Sequence, residues 1–322
     1  MPQIEIRAAA ERGKGCTLVS TEEAVRLLHD KKNLVWVDLL ATNLEDARMF
    51  LLDQLGFHEL AVEDALSDYE RPTLQEFDHY LFFSAPALLH PEADSETTEV
   101  GFFLTSNALV TVAKARIKVI DEWFGRWQAH PETMDHIPAV LLHSILDGLV
   151  DSYFPVVDAM EDRMDELSDS IFGGNTGRVK DVLVLKKQFL DFRRRIVPTR
   201  DILNSLLRRD LTLIPLSTKP YFQDVLDHVL RINEVLEVNR DTLASLLDVH
   251  LAQVSNNMNL VLKKMTVVAT VLMVMTLIAG IYGMNFRFMP ELHWVYGYPF
   301  ALGLMLFSAA AVLWVFKLFK WV

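Results

Sequence analysis

Apolar residues recur at Val225, Val229, Ile232, Leu236, Leu243, Leu247, Leu251, Val254, Met258, Leu262 and Met265, within a segment free of Pro and Gly from Tyr221 onward. The steps are those of one helix face. This stripe runs straight into Met265 to Phe286, 22 residues without a charge, and a second uncharged run of 22 covers Val295 to Phe316. As helices these runs are about 33 Å long, enough for a hydrocarbon core of about 30 Å, so both are expected to span a membrane. A continuous helix from Tyr221 to Met284 would be about 96 Å long. A helix of that length needs partners, and the simplest are copies of itself.

Upstream, Ile137 to Phe172 reads as a helix interrupted at most by Pro155 and ended by Gly173 and Gly174, and Arg178 to Arg209 reads as another. Val, Leu and Phe concentrate in Leu34 to Leu40, Tyr80 to Leu89, Glu99 to Thr105 and Ala108 to Ala113, with Ser106 and Asn107 as a turn. These read as strands. Helical patterns lie at Thr21 to Asp30, Leu44 to Leu55 and Lys118 to His130. The expected class is α+β: an N-terminal α/β cytoplasmic domain with a mixed sheet, then a long stalk helix continuing into the first of two transmembrane helices. The expected segments are 1–135, the helical hairpin 136–217, the stalk 218–264, spans 265–286 and 295–317 joined by an outer loop 287–294, and a tail 318–322.

Composition narrows the class. The chain has 322 residues, 51% hydrophobic, with 13 Gly and 12 Pro, which argues against disorder or collagen-like structure. The net charge is −12; the four charged residues beyond Lys264 (Arg287, Glu291, Lys317, Lys320) sum to +2, leaving −14 on the first 264. An acidic body repels nucleic acid and attracts cations, although a solvated surface has the same composition. Asp147, Asp151, Asp158, Glu161, Asp162, Asp165, Glu166 and Asp169 crowd one helical stretch, and Arg193, Arg194 and Arg195 form a basic patch that could pair with it. The one cysteine, Cys16, cannot form an internal disulfide, which suits a reducing compartment. The start, Met1 to Gly15, is charged and lacks the apolar core of a signal peptide. Lys263 and Lys264 before the first span and Lys317 and Lys320 after the second predict both termini on the cytoplasmic side of a cell (inner) membrane. No grouping invites an enzyme assignment.

In the first span Asn259, Leu262, Met265, Ala269, Met273, Thr276, Gly280 and Gly283 share one face. Small residues there fit helix packing as well as a conduit. The end of the span is more specific: Tyr282 to Asn285 is YGMN, and Met289 to Leu292 is MPEL. This pair of motifs, at the outer end of the first of two C-terminal spans, resembles the CorA family of magnesium transporters. The resemblance covers essentially the whole chain and implies a homopentameric funnel walled by the long helices.

It also implies site residues. Gly283, Met284 and Asn285 would form the selectivity filter, Asn259, Leu262, Met265, Met273 and Thr276 would line the pore, and Glu291 belongs to the outer loop. Mg²⁺ dehydrates reluctantly, so neutral amide and carbonyl oxygens can hold it through its water shell, and moderate binding is what conduction needs. Asp248 matches an acidic ring at the cytoplasmic end of the pore. Glu63, Asp64, Asp147 and Asp224 match interface positions where the family binds regulatory Mg²⁺, whose loss would let carboxylates repel and the funnel loosen. Without the family, Asp64 and Asp224 read as helix-terminal or solvated acids. Arg287 stands where many relatives carry an acidic residue, and the tail is less basic than in some. The implied function is channel-like uptake of Mg²⁺, with Co²⁺ and Ni²⁺ as further substrates; alternatives are a zinc transporter of the same superfamily or a membrane-anchored scaffold or sensor.

Overall fold

The computed structural model describes residues 4–12, 15–30, 33–67, 74–89, 96–130, 137–173, 178–285, 287, 289, 294–319 and 321. The chain forms two compact units, Met1–Ser170 with Lys180–Ala244, and Ile171–Val179 with Ser245–Val322.

At the heart of the first unit is a mixed sheet. Its strands are β1 (Glu5–Arg12), β2 (Gly15–Leu18), β3 (Val35–Leu40), β4 (Gln75–Glu76), β5 (Tyr80–Leu88), β6 (Thr97–Thr105) and β7 (Ala108–Ala113), in spatial order β2-β1-β3-β7-β6-β5-β4. Only β3 and β7 pair in parallel. β3, β5 and β7 are buried almost throughout, which explains why they read as continuous apolar runs instead of alternating ones. Helices α1 (Thr21–Asp30), α2 (Leu44–Met49), a π-helical turn (Phe50–Gln54) and α3 (Glu59–Leu66) share a core with Val35, Val37, Phe103 and Val110 of the sheet. Trp36, pointing to the other side, meets Phe124 and Trp127 of α4 (Lys118–Ala129). Gly101 lets α3 approach β6, because a Cβ there would lie 3.1 Å from Ala65 Cβ.

Three features depart from the sequence reading. The charged start forms the β1–β2 hairpin: Ala8, Ala9 and Ala10 are buried, and the polar Arg7 is paired with the buried Asp38, Nε and Nη2 donating to Oδ2 at 3.1 and 2.5 Å. Thr111 extends this network, accepting from Trp36 Nε1 at 3.1 Å and donating to Asp38 Oδ1 at 2.6 Å. The second departure is α3, a short helix with no strong period. The third is that Ile137 to Phe172 divides at Ser152 into α5 (Pro138–Asp151) and α6 (Tyr153–Phe172). Pro155 has no N–H to offer the Asp151 carbonyl, so the break falls one turn before the proline. Although Pro138–Phe172 is apolar enough in part to cross a membrane, its apolar side is core: Leu141, Leu142, Ile145 and Tyr153 are buried, and Tyr153 donates to the Pro86 carbonyl of β5.

Helix α7 (Val179–Arg208) precedes a 3-10 turn (Leu216–Thr218) and α8 (Lys219–Tyr282), a single helix of 64 residues. The apolar stripe of α8 changes character along its length. Val225, Val229, Ile232, Leu236 and Leu243 are buried, whereas Leu251, Val254 and Met258 are 65%, 43% and 59% exposed. In the second unit α9 (Gly297–Leu318) supplies the other apolar helix. Lys263 Nζ lies 5.8 Å from the ring centre of Trp321, so the segment after α9 returns beside the start of the uncharged stretch.

Candidate metal centre and ion path

Helix α5 begins with Pro138 at its first turn, where a missing N–H costs nothing. Its residues His143, Asp147 and Asp151 are spaced by four and share a face. On α8, Asp224 and His228 repeat that spacing. Gly148 seats α5 against α4, since a Cβ would come 2.6 Å from Trp123 Nε1 and 2.8 Å from Val119 Cγ1. The neighbouring Asp147 belongs to the face met by α8, where His143 packs tilted against Tyr221 and edge-on to Phe222 at ring separations of 5.3 and 5.9 Å.

Asp147, Asp151 and His228 offer ligand atoms within 4.8 Å of one another. His228 Nδ1 stands 3.9 Å from Asp147 Oδ1 and 3.3 Å from Asp151 Oδ1. Yet His228 Nδ1 and Asp147 Oδ1 are buried atoms with no hydrogen-bond partner. Burial pushes the Asp147 carboxyl above its ordinary value, as do Asp151 and Asp224, while His143 and His228 oppose the rise. Burial lowers His143, against the pull of Asp147 and Asp224. A divalent cation would relieve the crowding of negative charge and engage both orphaned atoms. Two carboxylates with retained water suit Mg²⁺, and the imidazole nitrogen adds a preference for Co²⁺ or Ni²⁺.

Of the residues named from sequence, Asp147 is in this group and Asp224 lies one turn before His228, within electrostatic reach of Asp147 and His143. Glu63 and Asp64 sit on α3, with Asp64 accepting from Gln75 Nε2 and its carbonyl from Ser67 at 3.1 Å. Among the described residues, no hydrogen bond or ion pair joins Glu63 or Asp64 to the group on α5 and α8. Asp248 is an exposed residue of α8 in the second unit. Sequence reasoning missed His228, and gave Asp151 only as part of an acidic face. The paired spacings 147/151 and 224/228 were the available signal, but that α5 and α8 lie side by side is a tertiary fact.

In the uncharged part of α8, the covered face carries Val267 and Ile278, 5% and 9% exposed. At 100° per residue, the stripe Leu262, Met265, Ala269, Met273, Thr276, Gly280 and Gly283 lies on the opposite side. Met265 and Met273 are 65% and 69% exposed, and Asn259 is exposed too. Thr276 donates its hydroxyl to the Leu272 carbonyl at 2.7 Å, which leaves lone pairs of its oxygen facing out. The helix ends at Tyr282, two residues before the expected Met284. Gly283 then donates to Ala279 O at 2.9 Å and Met284 to Ile281 O at 3.3 Å. Space at Gly283 is tight: a Cβ would lie 3.1 Å from the Ala279 carbonyl oxygen. Gly283, Met284 and Asn285 are all exposed, and Glu291, with most of the MPEL run, lies outside the described residues.

Residues 31–318 match the family model described as CorA-like Mg2+ transporter protein. The chain is 39% identical over 272 residues to the putative metal ion transporter YfjQ of Bacillus subtilis, covering 84% of each. It is 34% identical over 310 residues to the cobalt/magnesium transport protein CorA of Thermotoga maritima, covering 93% of this chain and 86% of that one. The complete structure of the CorA magnesium transporter from Methanocaldococcus jannaschii superposes with a TM-score of 0.82 at 23% identity, covering 98% of both chains. With a family model spanning nearly the whole sequence and relatives at 39% and 34% identity over most of it, the chain belongs to the CorA-like Mg²⁺ transporters.

Proposed function

We propose that this chain is a channel-like transporter that takes up Mg²⁺, and also Co²⁺ and Ni²⁺, as a homopentamer in the inner membrane with both termini in the cytoplasm. The observation that carries the reading is the YGMN turn directly beyond an uncharged helix whose small and polar face lies opposite its covered one. Copies arranged around an axis with those faces inward would line a conduit ending in a ring of Asn285 amides and Gly283 carbonyls. Neutral oxygens of this kind hold a hydrated ion without trapping it. A membrane potential of 100 mV favours entry of a divalent cation by about 4.6 kcal/mol, twice the value for one charge. The exposed continuation of the apolar stripe, Leu251, Val254 and Met258, supports the assembly: it is a helix face that a second copy would cover.

Regulation follows from the acidic residues of the first unit. Intracellular Mg²⁺ would be held by Asp147 and Asp151, with Asp224 and His228 beside them, and Glu63 and Asp64 of α3 would meet this group from a neighbouring copy. Filled sites hold the pore shut; emptied sites leave carboxylates that repel. Asp248 adds negative charge near the cytoplasmic mouth.

Uptake into proteoliposomes tests the reading. Asn285→Ala is expected to abolish flux with the oligomer intact, and retained flux would refute the filter. Competition among Mg²⁺, Co²⁺, Ni²⁺ and Zn²⁺ in the same assay ranks the substrates, and preferential Zn²⁺ uptake would replace the magnesium reading.

A further inference from the structure

Helix α7 carries a feature that cation transport leaves unused. A cleft of about 1250 Å³ lies along it, onto which Arg193, Arg194 and Arg209 open. In a chain with 43 acidic residues and a net charge of −12, three arginines lining one cleft run against the general surface. Among the described residues only Arg193 of the three has a carboxylate partner. Arg193 has one long contact, Nη2 to Glu237 Oε2 at 3.7 Å, and its Nε is buried with no hydrogen-bond partner. Among the described residues, the side chains of Arg194 and Arg209 form no ion pair or hydrogen bond. The carboxylate that also lines the cleft, Asp201, is paired with Arg200 at 2.9 Å.

Two plain explanations fall short. Basic residues complement the negative end of a helix dipole within its last turn, which accounts for Arg208 and Arg209 but not for Arg193 and Arg194 far upstream. Structural anchoring accounts for the next arginine instead: Arg195 donates to the Thr97 carbonyl at 3.3 Å and to its hydroxyl at 2.5 Å. Arg194 is left facing the cleft without such a role, and Arg193 has only its long contact with Glu237.

The other wall defines the ligand further. Leu74, Leu190 and Pro198 line the same cleft, and Leu190, Arg194, Pro198, Asp201, Ser205 and Arg209 follow one another along a single helical face. A bare phosphate ion would use the guanidinium groups, which match phosphate oxygens in a bidentate fork, but would leave the apolar wall empty. At about 1250 Å³ the cleft is far roomier than a bare ion needs and can admit an organic molecule. We propose that this cleft binds a nucleoside polyphosphate, with the base against Leu74, Leu190 and Pro198 and the phosphates running along the helix from Arg194 toward Arg209. The site is independent of the ion path and stands whether or not the chain transports Mg²⁺.

Calorimetric titration of the full chain in lipid nanodiscs tests this, using ATP, tripolyphosphate and adenosine as separate probes. ATP is expected to saturate one site per chain, with adenosine and tripolyphosphate each weaker by about tenfold or more, since each makes only half of the contacts. Arg194→Ala and Arg209→Ala should each weaken ATP by about tenfold, the usual scale for losing a charge-assisted contact. Arg208→Ala removes the same charge outside the cleft and should change it less than about twofold, as charge attraction at a distance is screened. Absence of saturable ATP binding overturns the proposal, as does equal weakening by Arg208→Ala, which would mark general charge attraction. Tripolyphosphate binding as tightly as ATP overturns the nucleoside part. A fall in oligomer mass for Arg194→Ala, with no ATP binding in the parent, would assign the cleft to carboxylates of a second copy. Mg²⁺ uptake measured alongside separates failure of this site from failure of the transport reading.

Discussion

Asp147 Oδ1 of α5 and His228 Nδ1 of α8 face each other at 3.9 Å, and both are buried atoms with no hydrogen-bond partner. Orphaned polar atoms of this kind cost stability unless something else engages them. A shared cation would do so, and its binding would add stability by mass action, about 2.7 kcal/mol at a hundredfold excess over Kd.

The two chemistries at this site can be told apart. His228→Ala is expected to weaken Co²⁺ binding by about tenfold or more and Mg²⁺ binding much less, because imidazole contributes chiefly to transition metals. Asp147→Asn should weaken both. Thermal shift of the full chain against each ion provides the measurement, and equal losses in His228→Ala would remove the imidazole from the site.

Two glycines on the same helical stripe should respond differently to alanine. At Gly283, just past the helix end, a Cβ would lie 3.1 Å from the Ala279 carbonyl oxygen, whereas at Gly280 it meets nothing within 4 Å beyond the helix's own backbone. Gly283→Ala is expected to cut Mg²⁺ uptake by roughly tenfold, equivalent to about 1.4 kcal/mol. Gly280→Ala should leave uptake near its parent value. Loss of uptake in Gly280→Ala would mean that another copy packs closely on that face.

Gly148→Ala should destabilise the first unit by about 1–3 kcal/mol, the usual cost of overpacking. The added methyl would stand 2.6 Å from Trp123 Nε1 and 2.8 Å from Val119 Cγ1. Because α5 would have to shift, the Co²⁺ response at the neighbouring Asp147 should fall as well. Gly125→Ala, with open space around it, is the control. Chemical denaturation with and without Co²⁺ reads both effects.

Glu99 ties stability to pH. Burial raises its carboxyl from an ordinary 4.5 to about 7, against a hydrogen bond with Ser84 and the charge of Arg195, and its Oε2 is buried without a partner. The folded state therefore holds this proton more tightly than the unfolded chain. That contribution is complete below about pH 4.5 and is lost as pH rises through about 7. Glu99→Gln keeps the neutral form at all pH values, so at pH 8 it should exceed the parent by roughly 2–3 kcal/mol. In acid the two should converge. Melting curves at several pH values decide, and a constant gap would contradict the buried proton.

Much of the fold was legible because local period and burial agree. Thr21 to Asp30 is a helix with the expected ends, and β7 runs from Ala108 to Ala113 as its apolar block indicates. Elements whose stability is tertiary were not visible. β1 reads as a charged segment until Asp38 is known to face Arg7, and α3 is fixed by the room that Gly101 leaves for Ala65. At the site, YGMN was readable from the chain alone, since it is contiguous. The group on α5 and α8 was only half readable, because Asp147 and His228 are brought together by packing and not by sequence spacing.

The bond from Arg7 to Asp38 also acts as a proofreader of strand alignment. Arg7 is directly opposite Asp38, which is directly opposite Thr111. If β1 slid by one residue, the guanidinium would turn to the other side and strand a carboxylate that is only 6% exposed. Misaligned hairpins would thus be penalised electrostatically, on a strand where three consecutive alanines offer hydrophobic packing little power to tell one alignment from the next.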